Sequence, residues 1–132
     1  MTIIVDTSVW SHALRRRKTS DDPQSEKLAA ALRQAQPIAL LGIIVQEILQ
    51  GVRDPRAFKK VRESLAAFPL IALDREDYVA AAELRNLCAA RGVQASTIDF
   101  QIAAACARHD CALLTSDQDF ERISQHSRLQ LL

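Results

Sequence analysis

Thr2-Ile3-Ile4-Val5-Asp6-Thr7-Ser8-Val9-Trp10 is the stretch that decides the fold, an apolar run that ends on a carboxylate followed by two hydroxyls. Residues 2 to 5 are all β-branched, and four residues are too few for a helix. They therefore predict a strand buried on both faces, which is typical of a parallel sheet. Because ligands in open α/β sheets bind at the carboxyl ends of the strands, Asp6 falls where a functional site is expected.

The rest of the chain alternates apolar runs with amphipathic segments. We predict further strands at 38–41, 70–73, 112–114 and 129–132, and helices at 9–14, 24–36, 44–51, 56–67, 75–91, 96–109 and 117–123. Every link between strands is too long for a hairpin, which indicates crossover connections and parallel strands. The predicted fold is a three-layer α/β/α sandwich, with a mainly parallel sheet of about five strands, in a single domain over residues 1–132.

The composition is that of an ordinary globular protein. In 132 residues, 48% are hydrophobic and 25% charged, which excludes a wholly disordered chain. The net charge of +1 does not by itself indicate nucleic-acid binding. The longest apolar run, 38–45, is far shorter than a membrane span, and an acid at position 6 argues against a signal peptide. Three cysteines without metal-ligand spacing fit reduced core thiols, so we expect a soluble cytoplasmic protein with no membrane association.

Four carboxylates stand out, and each also has a purely structural explanation. Asp6 could cap the helix after its strand. Glu47 lies on or beside the apolar face of its helix, unless it reaches solvent from the edge of that face. Asp99 belongs to Ser96-Thr97-Ile98-Asp99, which has the pattern of a capping box, but its helical phase also turns it inward. Asp117 follows a strand end and could be a helix N-cap, and Asp119 would follow it in the first turn.

Taken together, the four carboxylates indicate a metal site, which none of them indicates alone. Two of them end strands and two lie on inward helix faces, so we expect all four at the same sheet edge. Clustered carboxylates repel one another unless a cation neutralises them, and oxygen ligands suit Mg²⁺ or Mn²⁺. Such ions can activate water for attack on a phosphodiester. The pattern predicts a metal-dependent nuclease.

Three other functions are compatible with parts of the pattern. An aspartyl phosphatase would use Asp6 as a nucleophile, but it usually needs an acid two residues later, where this chain has Ser8. A phosphoacceptor domain would need a late lysine, and the sequence has none after Lys60. A binding module that has kept the fold and lost activity is the third alternative.

Four motifs, taken in order along the chain, resemble those of the PIN-domain ribonucleases and, more narrowly, of the VapC toxins of bacterial toxin–antitoxin pairs. They are Asp6-Thr7-Ser8-Val9-Trp10, Val45-Gln46-Glu47-Ile48-Leu49-Gln50-Gly51, Ile98-Asp99-Phe100-Gln101-Ile102-Ala103-Ala104 and Leu114-Thr115-Ser116-Asp117-Gln118-Asp119-Phe120. The segment 78–92, which includes Arg85, is also similar to the helix that precedes the third acid in that family. The resemblance covers nearly the whole chain.

The resemblance implies a set of roles for these residues. Asp6, Glu47, Asp99 and Asp117 would be the catalytic, metal-binding acids, and Asp119 an auxiliary ligand. Ser8 and Thr115 would hold carboxylates or waters. The resemblance also implies endonucleolytic cleavage of RNA with Mg²⁺ or Mn²⁺, a homodimer, and a cognate antitoxin that occupies the active-site groove.

Basic side chains near the acids could contact RNA. The run Arg15, Arg16, Arg17 and Lys18 lies close to Asp6 in sequence and could bind phosphates by charge. It could equally be a solvated loop that Asp21 and Asp22 partly neutralise. Arg85 could line the groove or pair with a carboxylate.

Overall fold

The computed structural model describes residues 1–14 and 22–132, which form five strands and seven helices. The strands are β1 (Ile3–Val5), β2 (Ile38–Leu41), β3 (Leu70–Ile71), β4 (Ala112–Leu114) and β5 (Gln130–Leu131). The helices are α1 (Thr7–Leu14), α2 (Pro23–Arg33), α3 (Gly42–Gln50), α4 (Pro55–Leu65), α5 (Arg75–Ala90), α6 (Thr97–Arg108) and α7 (Asp119–Ser124).

All five strands join one parallel sheet in the order β3-β2-β1-β4-β5. Strand β1 is central, and Ile3 pairs with Ile38 of β2 on one side and with Ala112 of β4 on the other. Every residue of β1 is at most 3% exposed. The prediction of a strand buried on both faces of a parallel sheet is therefore confirmed.

The helices fall into two contact groups. In one group α1 contacts α2 and α3, and α3 contacts α4; in the other group α6 contacts α5 and α7. The sheet and these two groups give the predicted α/β/α sandwich. Its core is made of the apolar strand residues and the inward faces of the helices, with Val9, Ile44, Phe120 and Ile123 each fully buried.

The direction of the chain through the sheet reverses between β1 and β4. From β1 the chain moves outward to β2 and β3, and it then returns to the other side of β1 for β4 and β5. A backbone bond from the amide of Asp6 to the carbonyl of Leu114, 2.8 Å long, joins the carboxyl ends of these two strands. Such a reversal leaves a crevice at the strand ends, where α/β proteins bind their ligands.

Several element boundaries differ from the sequence prediction by one to three residues, and three of them bear on the site or the sheet. Helix α1 begins at Thr7, because the carbonyl of Asp6 already accepts the amides of Val9 and Trp10. Strand β3 ends at Ile71. Helix α7 begins at Asp119, two residues later than predicted, since the tight turn after β4 uses Asp117 before the helix starts.

The buried side chains include two aromatic rings and the three cysteines, which the sequence predicts as reduced core thiols. Phe120 is buried, and Trp10 is 4% exposed and packs edge-on against Phe68 with ring centroids 5.2 Å apart. The three cysteines are free and buried, and burial raises the pKa of each thiol. Of the helices in 1–14 and 22–132, none has the length and apolarity needed to cross a membrane.

Candidate metal centre

Three acidic side chains converge at the carboxyl end of the sheet. Asp99, Asp117 and Asp119 each place one carboxylate oxygen within 4.8 Å of the others. Asp99 comes from the first turn of α6, Asp117 from the turn after β4, and Asp119 from the start of α7. Residues that are 20 positions apart in sequence thus meet in one cluster, which we call the acidic trio.

Asp6 is linked to the acidic trio through Thr115. The Thr115 hydroxyl donates to Oδ2 of Asp6 at 2.8 Å, in a fully buried bond. The same Oγ1 accepts the backbone amide of Asp117 at 3.0 Å. One threonine at the end of β4 therefore positions both Asp6 and Asp117.

Glu47 is linked to Asp6 through Thr7. The amide of Thr7 donates to Oδ1 of Asp6 at 2.8 Å, and its hydroxyl donates to Oε1 of Glu47 at 2.9 Å. The sequence prediction named Ser8, whose side chain is exposed, and did not name Thr7. No local pattern marks this contact, because Glu47 is 40 residues away and only the packing of α1 on α3 brings it to Thr7.

Two of the acids also brace the local backbone. Asp99 and Ser96 form the predicted capping box, with Oδ2 of Asp99 accepting the amide of Ser96 and the Ser96 hydroxyl accepting the amide of Asp99. Oδ1 of Asp117 accepts the amide of Asp119 at 2.9 Å. Each capping bond occupies one carboxylate oxygen and fixes the direction of the other, so capping and metal binding are compatible.

The electrostatics of the site favour a bound cation. Burial raises the pKa of Asp6, and the charges of Asp99 and Asp117 add to this effect, while the bonds from Thr115 and Thr7 oppose it. Burial also raises the pKa of Asp99, and Asp117 and Asp119 add to that rise against the bonds from Ser96. The charged form of both carboxyls is therefore destabilised, and a bound cation would stabilise it.

Arg122 supplies the one positive charge in contact with the acidic trio among the described residues. Its Nη1 donates to Oδ1 of Asp119 at 2.8 Å. Both side chains are well exposed, so the pair contributes little to stability. The signal for this contact was the spacing of three residues within the helix predicted at 117–123.

The predicted RNA contacts are placed only in part. Arg15, Arg16, Arg17 and Lys18 lie outside the described residues. Arg85 is exposed on α5 and lines a cavity of about 420 Å³ together with Thr97 and Phe100, at the start of the helix that carries Asp99. Its Nη1 donates to Oδ1 of Asn86 at 3.4 Å, and among the described residues Arg85 forms no ion pair with one of the acids.

The donor set fits a hard divalent cation. The acidic trio offers oxygen ligands alone. Asp6 and Glu47 lie outside the trio; Thr115 connects Asp6 to it, and Thr7 connects Glu47 to Asp6. Oxygen ligands of this kind suit Mg²⁺ or Mn²⁺ better than soft metals, which prefer sulfur or imidazole. The arrangement can therefore hold a hydrated metal ion at the mouth of the crevice between β1 and β4.

A family model described as the PIN domain matches residues 3–125. The match covers nearly the whole chain and includes all five acids of the site. A search of curated proteins finds no match.

Several solved structures share the fold. VapBC2 from Rickettsia felis, bound to a DNA fragment from its promoter, is 20% identical with a TM-score of 0.78, and the alignment covers 100% of this chain and 98% of that one. DNA-bound VapBC from Salmonella typhimurium is 14% identical with a TM-score of 0.79, and the shares are 100% and 97%. A toxin–antitoxin complex from Klebsiella pneumoniae is 20% identical with a TM-score of 0.70 and 89% of each chain covered.

Proposed function

The chain belongs to the PIN domain family, and we propose that it is a metal-dependent endoribonuclease, the toxin of a toxin–antitoxin pair. The observation that carries this proposal is the acidic trio, three carboxylate oxygens within 4.8 Å at the reversal point of a parallel sheet. The pKa of Asp6, which is connected to the trio through Thr115, is raised, as expected for a buried acid whose charge no cation neutralises. A phosphatase would need an acid where this chain has Ser8, and a phosphoacceptor domain a lysine after Lys60, which the sequence lacks.

The proposed ligand set contains Asp6, Glu47, Asp99 and Asp117, with Asp119 as an auxiliary ligand. One or two Mg²⁺ or Mn²⁺ ions bound there would activate a water, align it with a phosphodiester and neutralise charge on the leaving oxygen. Asp119 is auxiliary because Arg122 competes for one of its oxygens. The same ion pair would orient Asp119 toward the other members of the trio.

Two threonines would keep the acids in position. Thr115 donates to Asp6 and braces the turn that carries Asp117, and Thr7 donates to Glu47. Partners of this kind fix the orientation of a ligand and hold it in the charged form that a metal needs. Ser8 is exposed at the start of α1, where its hydroxyl is free to bind a water at the rim of the site.

RNA bound at an acidic centre would need basic side chains on either side of it to contact its phosphates. Arg85 contributes one flank, at the cavity beside the first turn of α6. We propose Arg15, Arg16, Arg17 and Lys18 as further phosphate contacts from the segment after α1. Contacts of this kind act by charge, so RNA affinity should fall as salt rises.

An antitoxin partner and a homodimer complete the proposal. The structural neighbours VapBC2 and VapBC are complexes bound to DNA, and another is a toxin–antitoxin complex. An antitoxin that covers the acidic crevice would block RNA. Helix α5 leaves Val79 and Leu87, which lie on the same side of the helix, at least 41% exposed, and this apolar side suits a second copy of the chain. We propose that this toxin and its antitoxin act in the cytoplasm, where RNA is available.

Cleavage of total cellular RNA by the purified protein tests the function. The reactions contain Mg²⁺, Mn²⁺ or EDTA, and they compare the wild type with Asp6→Asn and with Glu63→Gln, an exposed acid on α4. Discrete fragments that require metal and Asp6, and that Glu63→Gln still makes, would support the proposal. Absence of cleavage by folded wild type with either metal would contradict it and favour the binding module.

A further inference from the structure

A second cavity, of about 190 Å³, is lined by Asp117 of the acidic trio. Helix α2 contributes Gln24 and Lys27, the turn after β4 contributes Ser116 and Asp117, and α7 contributes Glu121. Asp117 belongs to both the cavity and the trio, so a group bound in this cavity would touch the proposed metal site. We call this cavity the α2 cavity.

Lys27 gives the α2 cavity a positive charge next to the acids. Its Nζ donates to the backbone carbonyl of Leu132 at 3.1 Å, which leaves two of its three N–H groups for another partner. Its bond to Leu132 also holds the side chain over the cavity. An ammonium beside an acidic centre suits a phosphate, because it offsets the repulsion that the carboxylates exert on a phosphate.

Glu121 and Gln24 give the α2 cavity unused acceptors. Glu121 is exposed, and in the described part of the chain its carboxylate forms no ion pair. Oε1 of Gln24 is buried and has no hydrogen-bond partner among the described residues. A buried amide oxygen without a donor is costly, which marks a place where a ligand or a water is needed.

Size and chemistry together point to one nucleotide. Sites for drug-sized ligands have volumes of about 300–1,000 Å³, so this smaller cavity suits a single base. A carboxylate accepts two adjacent N–H groups side by side, and guanine alone among the RNA bases presents such a pair on its Watson–Crick edge. The amide of Gln24 can accept from the exocyclic amino group or, through its own NH₂, donate to the guanine carbonyl.

We propose that the α2 cavity binds a guanine nucleotide next to the scissile phosphate. Lys27 contacts its phosphate, and Glu121 and Gln24 bind the base edge. This inference rests on the proposed function, because it assigns a specificity pocket to the same site. It predicts that cleavage has a fixed preference for guanine at one position beside the cut.

Binding and cleavage by Lys27→Gln and Glu121→Gln test the inference, with Lys59→Gln, an exposed lysine on α4, as the matched control. Affinity for a labelled random-sequence RNA is measured in an Asp6→Asn background, so that no cleavage occurs, over a range of salt concentrations. Base preference is read by sequencing the fragment ends that the same variants make from that RNA with Asp6 intact.

Lys27→Gln should weaken RNA binding roughly 5–10-fold and reduce the salt slope by about 0.7, the loss of one phosphate contact on a single strand. Lys59→Gln should change neither value. Glu121→Gln should abolish the guanine preference at that position among the fragments that it makes. If the wild type cleaves but both variants match Lys59→Gln, this inference alone is wrong. If the wild type neither binds nor cleaves RNA with metal, the proposed function fails, and this inference fails with it.

Discussion

The hydroxyl of Thr115 lies 2.8 Å from Oδ2 of Asp6, in a buried bond between residues 109 positions apart. This bond joins the carboxyl ends of the two strands at the centre of the sheet. The same hydroxyl oxygen accepts the amide of Asp117 at 3.0 Å. A single side chain therefore sets the distance between an acid directly after β1 and an acid after β4.

Thr115→Val should weaken metal binding and cleavage by roughly 10–100-fold, because valine keeps the shape and removes the donor. The pKa of Asp6 should rise further, since the bond from Thr115 opposes the effect of burial. The pH at which cleavage reaches half its maximum should therefore move upward. Cleavage rates across pH and Mg²⁺ titrations measure both effects. Thr115→Ser keeps the hydroxyl and should stay close to wild type, so equal losses in the two variants would contradict this role.

Asp99→Asn should stabilise the metal-free protein while abolishing cleavage. Burial and the neighbouring acids raise the pKa of Asp99, so in the absence of metal its charge costs stability at neutral pH. Asparagine removes the charge and can still accept the amide of Ser96. We expect the Tm in EDTA to rise by roughly 2–5 °C, with the gain shrinking as pH falls below the raised pKa and wild-type Asp99 becomes neutral.

Added Mg²⁺ gives the complementary measurement. Ligand that binds only the folded state raises its stability, so saturating Mg²⁺ should raise the Tm of the wild type. The Mg²⁺-induced shift should be much smaller in Asp99→Asn and unchanged in Glu63→Gln on α4. A lower Tm for Asp99→Asn in EDTA would show that its charge is already compensated without a metal.

The strand that opens the chain could be predicted from sequence because its apolar run has no competing explanation. The same holds for the capping box at Ser96 and Asp99, which depends on four consecutive positions. The role of Thr7 could not be predicted, because its partner Glu47 is 40 residues away and only the packing of α1 on α3 brings them together. The α2 cavity was equally invisible, since its residues come from α2, α7 and the turn after β4.

Gly42→Ala and Gly92→Ala should have opposite effects on stability, although an added Cβ would have nothing within 4 Å at either site. Gly42 begins α3 without a positive φ, so alanine should stabilise by about 0.5–1 kcal/mol by restricting the unfolded chain. Gly92 has a φ of +77° after α5, where alanine should cost about 1–2 kcal/mol. Urea unfolding of both variants measures the difference, and equal effects would contradict this assignment of backbone freedom.

Asp77 should support the fold at neutral pH and lose that role in acid. It is 2% exposed, and its Oδ1 accepts Arg108 Nη1 at 2.6 Å and contacts His109 Nε2 at 3.0 Å. Burial would raise the pKa of Asp77, but the amide of Asp74, Arg108 and His109 outweigh it and lower the pKa. Because the folded pKa lies below the unfolded value of about 3.9, this stabilisation is complete above that value and disappears as pH falls through the folded pKa.

Asp77→Asn is the variant that isolates this charge. Asparagine can still accept the amide of Asp74, so the loss falls on the bonds to Arg108 and His109, which join the start of α5 to the end of α6. We expect a loss of about 1–3 kcal/mol at pH 7, since Arg108 is partly exposed and can return to water. Urea unfolding from pH 7 down to pH 2.5 should show the two proteins converging in acid. A constant difference across that range would mean that Asp77 acts through its shape and not through its charge.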